Sequence, residues 1–219
     1  MDPISFTFWR FYYFFRDPKR NPPSGKVIVA PADGYITYVK EVKSGSIPSP
    51  IKDGVAIPLH EWGGFFKDEF NAGQSGVLIG IYMTPLSVHI NRSPISGKIK
   101  RILKIPAKGK NRSMVKMMMR LVFGMKPYEK GSDYLINNAR NTIIVDGDLK
   151  LAVIQIADSY VKEVDCFVNE GDEVQTGDKI GMIRMGSQCD LFIPHSSAIK
   201  IRCKEGEKVY AGESILADY

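Results

Sequence analysis

Ile183-Arg184-Met185-Gly186-Ser187-Gln188-Cys189-Asp190-Leu191 places a Gly-Ser pair between two alternating apolar runs, residues 179–183 and 189–193. Alternation of this kind predicts strands, and a Gly-Ser pair between strands predicts a tight bend. Taken alone the pair is an ordinary hairpin turn, because glycine supplies unusual backbone angles and serine a small polar side chain. Two other segments change its weight. Pro31-Ala32-Asp33-Gly34 and Val88-His89-Ile90-Asn91-Arg92-Ser93-Pro94 offer a carboxylate and an imidazole. With Ser187 they complete the parts of an activated hydroxyl nucleophile. Each also has a plain reading, Asp33 as a turn residue and His89 as a satisfied structural histidine.

Outward from Ser187 lies an internal repeat. Glu170-Gly171-Asp172-Glu173-Val174-Gln175-Thr176-Gly177-Asp178-Lys179-Ile180 returns 35 residues later as Glu205-Gly206-Glu207-Lys208-Val209-Tyr210-Ala211-Gly212-Glu213-Ser214-Ile215. Each copy reads as a short strand between glycine turns, so two related β units pack together with Ser187 between them. Further strands are predicted at 26–30, 35–42, 55–59, 77–83, 142–145 and 149–156, the last two joined by the hairpin signal Asp146-Gly147-Asp148. The continuous apolar run 77–83 is a central buried strand. The fold class is α+β, predominantly β, with a sandwich or barrel-like core. Residues 26–219 form a single domain preceded by a distinct segment, 1–25; the loop 60–76 carries no readable role.

The 219 residues carry a net charge of +6 and a pI near 9.1, which suits an anionic partner, nucleic acid or a membrane surface, as well as a basic surface with no partner. Cys166, Cys189 and Cys203 lack CxxC spacing, no secretory signal precedes them, and no disulfide framework or metal site is expected. The apolar stretches are too short to cross a bilayer as helices.

Residues 6–16, Phe-Thr-Phe-Trp-Arg-Phe-Tyr-Tyr-Phe-Phe-Arg, are aromatic on nearly every side. They fit an interfacial helix whose Arg10 and Arg16 meet lipid phosphates, or a helix packed on the domain. From Lys98 to Lys130 the basic residues face one acid, Glu129. Within the segment 107–132, Met114, Met117, Met118, Leu121 and Val122 share a helical face opposite Lys116 and Arg120. That helix suits a membrane surface or a lipid-lined entrance, or the surface of the core. Nucleic acid is a weaker fit, since no aromatic residues are interleaved.

With Phe14-Phe15-Arg16-Asp17-Pro18, Asn138-Ala139-Arg140-Asn141-Thr142, residues 153–156 and residues 171–194 added to these motifs, the chain resembles the short branch of the phosphatidylserine decarboxylase family. The resemblance covers most of the chain, and the 170–215 repeat resembles the turns of biotinyl and lipoyl carrier domains, which gives the C-terminal part a carrier-like character. It implies a proenzyme cut between Gly186 and Ser187 by Asp33, His89 and Ser187, into a β chain of residues 1–186 and an α chain of residues 187–219 that stay associated. It implies a pyruvoyl cofactor derived from Ser187, an electron sink for decarboxylation of a phosphatidylserine-type lipid to its ethanolamine counterpart, with His89 as proton donor. It further implies a peripheral protein on the cytoplasmic side of the cell membrane, docked on anionic phospholipid, homo-oligomeric and without nucleic acid.

Two departures accompany the resemblance. Gly186-Ser187-Gln188 stands where many members have Gly-Ser-Thr, and the H-x-x-H of longer members matches His89 and Arg92 here. Arg92 is therefore a candidate for the lipid phosphate or carboxylate, and His195 a candidate neighbour of the site. Three alternatives stay open: an archaetidylserine decarboxylase with the same headgroup chemistry, a lipid-binding homologue that never cuts itself, and a biotin or lipoate carrier. The last fits poorly, because carriers present lysine where this chain has Ser187.

Overall fold

A computed structural model describes residues 12–43, 46–48, 56–58, 69–70, 74–159, 161, 164–184, 187–196 and 198–219. Gly186, most of the aromatic N-terminus and most of the 60–76 loop lie outside them. Among the described residues the strands are β1 (Val27–Val29), β2 (Gly34–Val42), β3 (Ser46–Pro48), β4 (Ala56–Pro58), β5 (Gly76–Met83), β6 (Ile90–Arg92), β7 (Gly97–Ile105), β8 (Arg140–Gly147), β9 (Lys150–Ala157), β10 (Val164–Cys166), β11 (Glu173–Val174), β12 (Lys179–Ile183), β13 (Ser187–Pro194), β14 (Lys200–Ile201), β15 (Lys208–Val209) and β16 (Ile215–Asp218). Two short helices, α1 (Val115–Val122) and α2 (Tyr134–Asn137), lie between β7 and β8. The chain is predominantly β, as its alternating runs predict.

An antiparallel eight-stranded sheet in the order β11-β7-β8-β9-β13-β5-β2-β15 forms the centre. Its central strands β5, β9 and β13 are buried on both faces, which is why β5 and β9 read as nearly unbroken apolar runs. One face packs Ile36, Ile81, Val153 and Leu191 against the small sheets β1-β16-β14 and β10-β12-β6. The other packs Tyr38, Leu78, Ile154 and Phe192 beneath Met114 and Met117 of α1 and Tyr134 and Leu135 of α2. The methionine helix thus serves the core with its buried edge, while Val122 and Phe123 remain exposed.

The 35-residue repeat is one part of a larger duplication. β1 and β2 recur 63 residues on as β6 and β7, Val27 answering to Ile90 and Gly34 to Gly97. Each long strand has a register shift at the equivalent place, between Ile36 and Tyr38 and between Ile99 and Arg101. Ile36 exchanges backbone hydrogen bonds with Gly206 (2.7 Å) and Glu207 (2.9 Å), and Ile99 does so with Gly171 and Asp172 (both 2.8 Å). β15 and β11, one from each repeat copy, therefore cap opposite edges of the same sheet.

The hairpin expected at Gly186-Ser187 does not form. β12 pairs with β10 and β6, whereas β13 pairs with β5 and β9 in the large sheet. β12 and β13 thus belong to different sheets, β13 as a central strand of the large one and β12 as the central strand of the small one.

Candidate active site

Ser187 is the first residue of β13, opposite Met83 on one side and Ala157 on the other. It is fully buried, and its hydroxyl donates to Met83 Sδ at 3.3 Å. A thioether is a weak acceptor, so this contact orients the hydroxyl without holding it strongly. Strand alternation turns Gln188 to the opposite, helix-covered face. There its amide donates to Tyr38 Oη (2.8 Å) and Asp190 Oδ1 (2.7 Å) and accepts from Tyr134 Oη (2.7 Å), while Tyr38 donates to Asp190 Oδ2 (2.7 Å). Burial pushes both phenols well above their ordinary pKa, with the Asp190 carboxylate adding to the effect, so they remain hydrogen-bond donors. The residue after the nucleophile is thereby fixed in a buried polar network. The glutamine that departs from the threonine of many members is long enough to reach all three partners.

His89 follows β5 across the turn Thr84–Ser87, which closes through Ser87 N–H to Thr84 O at 2.9 Å. Its Nδ1 lies 2.9 Å from the Ser87 carbonyl. A carbonyl can only accept, so Nδ1 carries the hydrogen and the neutral ring presents its lone pair at Nε2. That atom is buried and has no hydrogen-bond partner among the described residues. Phe14 stacks on the ring with centroids 4.2 Å apart. Burial lowers the His89 pKa to about 4, opposed by the Ser87 carbonyl and assisted by the charge of Arg16. The histidine is therefore a neutral acceptor at pH 7.

Asp33 precedes β2, whose Tyr35 pairs with Tyr82 at the same sheet end where Met83 pairs with Ser187. The topology brings Asp33, His89 and Ser187 to one end of the sheet, and among the described residues no two of them are hydrogen-bonded. Instead Asp33 receives a two-pronged pair from Arg20 Nη2 (3.0 and 2.9 Å) and the Ala211 N–H (2.7 Å). The Ala211 bond has a counterpart in the other half, where the Thr176 N–H donates to Ser96 Oγ at 2.9 Å. It is a clamp on the repeat turn before it is anything catalytic. The Ser87 carbonyl, rather than Asp33, orients the imidazole.

Residues 14–22 lie across this end like a strap. Asp17 pairs with Arg92 and with Lys179, and Arg20 also pairs with Glu213 at 3.2 Å. Arg92 is consumed by Asp17 and the Gly177 carbonyl (2.8 Å) and does not line the cleft. His195 sits at the far end of β13, about 25 Å from Ser187 at the usual strand rise, and is bonded to Glu41 at 2.8 Å. No cluster of His, Cys, Asp or Glu suited to a metal ion occurs among the described residues.

Beside the site opens a cleft of about 820 Å³, walled by Asp33, Tyr35 and Thr84–Ser87 on one side and by Met118, Leu121 and Val122 of α1 on the other, with Arg16, Lys208 and Tyr210 completing it. Arg20, the Ser87 carbonyl and the Gln188 network are absent from the set of candidates that residue types suggest, and Arg16 enters it only as an interfacial anchor. The signal for the two arginines was their place on either side of Asp17-Pro18, a pattern that also reads as such an anchor.

The site thus gathers a buried serine at a strand end, a neutral histidine whose Nε2 has no partner among the described residues and a half-apolar cleft beside them. The chain belongs to the phosphatidylserine decarboxylase family, whose model matches residues 8–217. It is 35% identical over 208 residues to a putative archaetidylserine decarboxylase proenzyme of Methanothermobacter thermautotrophicus, covering 94% of this chain and 79% of that protein.

Proposed function

We propose that this protein is a pyruvoyl-dependent phospholipid decarboxylase that cuts itself between Gly186 and Ser187 and converts phosphatidylserine to phosphatidylethanolamine and carbon dioxide. The observation that carries the reading is the open, buried Nε2 of His89 at the sheet end where β13 begins with Ser187. His89 Nε2 takes the hydroxyl proton of Ser187; Oγ adds to the Gly186 carbonyl carbon, the Gly186–Ser187 C–N bond breaks, and the proton passes to the freed nitrogen, leaving an ester. Loss of the Ser187 α-proton then expels Gly186 as a carboxylate, and water releases ammonia from the remaining enamine. The pyruvoyl group so made at residue 187 supplies an electron sink for the pair left when carbon dioxide departs. The surroundings fit such a group: residue 187 faces a sulfur rather than a charge, and residue 188 is held by Tyr38, Tyr134 and Asp190. In this reading His89, once protonated, returns a proton to substrate carbon. Asp33 balances Arg20 beside the cleft and contributes its charge to the site without touching the imidazole.

Leu86 and Val122 line the cleft and are exposed, as are Tyr12, Phe15 and Phe123 close to cleft residues in the chain, which suits docking on a bilayer surface. No helix among the described residues is long and apolar enough to cross a membrane. The archaeal relative's name favours a second substrate, archaetidylserine, with the same headgroup on ether-linked tails.

The test is the intact mass of the purified protein beside Ser187→Ala, followed by assay on ester-linked and ether-linked serine lipids. A piece ending at Gly186 and a 33-residue piece, Ser187–Tyr219, with a blocked N-terminus are expected in the first sample alone. An uncut chain in both, even with lipid vesicles present, would overturn the reading. The two lipids then decide between the substrates.

A further inference from the structure

We propose that Arg16 and Lys208 form the subsite that takes the phosphodiester of the substrate lipid. This rests on the phospholipid reading above and adds the residues that recognise the part of the substrate the reaction leaves unchanged.

Charge accounting in the cleft comes first. Its wall contains the carboxylate of Asp33 and the cations Arg16 and Lys208. Asp33 is already matched by the two-pronged contact from Arg20, whose side chain is itself largely buried. Arg16 and Lys208 make no ion pair with any acid among the described residues. The cleft therefore carries uncompensated positive charge, and a bound anion relieves it.

Geometry narrows the anion. Arg16 is not free to swing toward the bilayer: Nη1 donates to the Tyr13 carbonyl (2.8 Å), Nη2 to the Leu86 carbonyl (2.5 Å), and the guanidinium lies 3.8 Å over the Tyr13 ring. It is a fixed cation beside the turn that carries His89. Lys208 is exposed at the opposite rim, its ammonium over the Tyr210 ring. Between them and α1 the surface turns apolar, through Leu86, Leu121 and Val122. A ligand that matches has a single fixed negative charge with an apolar body on one side and a small polar group on the other. That describes a phosphodiester between glycerol tails and an amino-acid headgroup.

The carboxylate of the headgroup is the competing anion. An arginine holding it would favour the charged ground state over a transition state in which that charge leaves as neutral carbon dioxide, and would slow the reaction. The phosphodiester keeps its charge throughout, so binding it costs nothing at the chemical step.

The experiment uses the full chain in neutral detergent micelles, which removes any contribution from an anionic bilayer. Wild type, Arg16→Gln, Lys208→Gln and the double variant are compared for self-cleavage and for kinetics on phosphatidylserine and on O-dodecanoylserine, an amphiphile with the same amine and carboxylate but no phosphate. The double variant is expected to cut itself as wild type does, to raise KM for phosphatidylserine at least tenfold with kcat within about twofold, and to leave KM for O-dodecanoylserine within twofold. An unchanged KM for phosphatidylserine, or an equal rise for both amphiphiles, overturns the subsite. Lys208 has no structural burden, so Lys208→Gln alone carries the test, with at least a threefold rise, if Arg16→Gln misfolds.

If wild type turns over neither amphiphile, the decarboxylase reading falls and the subsite is judged separately, by calorimetric binding of dihexanoylphosphatidylglycerol to Ser187→Ala with and without the two substitutions. At least tenfold weaker binding upholds it, and equal binding overturns it. Inorganic phosphate is expected to bind at least tenfold more weakly than this lipid, and equal affinity would overturn the lipid assignment.

Discussion

His89 is neutral because its ring is buried, an effect that the charge of Arg16 assists and the Ser87 carbonyl at Nδ1 opposes. With a folded pKa of about 4 and an ordinary unfolded value near 6.5, the unfolded chain binds more protons between those limits. The contribution is absent above about pH 6.5; as pH falls the folded state loses up to about 3 kcal/mol, a loss complete below about pH 4. Urea midpoints measured from pH 7 to 4 should fall accordingly and fall less in His89→Gln. The first-order rate of self-cleavage should stay level from pH 8 to about 5 and decline with a midpoint near 4. A midpoint near 6.5 would show an exposed, ordinary imidazole. Arg20 offers a second check, since its loss leaves Asp33 buried without its counter-charge. Arg20→Ala should cost about 3 kcal/mol in chemical denaturation, with Asp33→Asn in the same chain recovering part of it. Residue types alone made Ser187, His89 and Asp33 legible as candidates. Their present partners were not legible, because Met83 at Ser187, Arg20 and Ala211 at Asp33 and Phe14 on His89 are brought there by the fold from distant segments, a placement that no local pattern encodes.

At the scale of elements, the repeat turns and the strap depend on one another. Gly177 has φ +88°, and a Cβ there would lie 2.5 Å from Pro22 Cγ; Gly212, its counterpart at φ +76°, abuts Gly177 and Arg92. Only glycine holds such a backbone angle without cost, so both turns require it. Gly177→Ala should displace Pro22 and the strap. The expected readout is faster amide exchange across residues 16–22 with a stability loss of at least about 1–3 kcal/mol, against unchanged exchange across 16–22 for Gly109→Ala, which strains only its own backbone angle in an open loop. β1, β2, β5, β8 and β9, the 146–148 hairpin and the methionine helix could be read from periodicity, whereas β7 is hidden by the lysines and arginine that alternate through it. The partition of β12 and β13 between two sheets could not, because a Gly-Ser between apolar runs looks the same whether the chain turns back or crosses over.

Across the described residues, two β units related by the 63- and 35-residue offsets flank opposite edges of one sheet. Only the 35-residue offset is visible in sequence. Along 27–42 and 90–105 the shared residues shrink to Pro31 and Pro94, Gly34 and Gly97, Ile36 and Ile99, because paired backbones rather than side chains define those strands. The position of β13 decides what processing does to the assembly. It is paired along its length with β5, from Ser187 opposite Met83 to Pro194 opposite Gly76, and with β9 on its other side. A cut before Ser187 severs the chain without releasing the strand. Both pieces should elute together by gel filtration in native buffer and separate only in denaturant.

The duplication also supplies an internal control that no designed substitution matches. Where one half clamps its turn with a carboxylate, the other performs the same mechanical task with the hydroxyl of Ser96. Transplanting that solution, Asp33→Ser, should keep the Ala211 clamp while deleting a negative charge beside the cleft. Architecture and electrostatics, fused in a single side chain, then come apart in one variant.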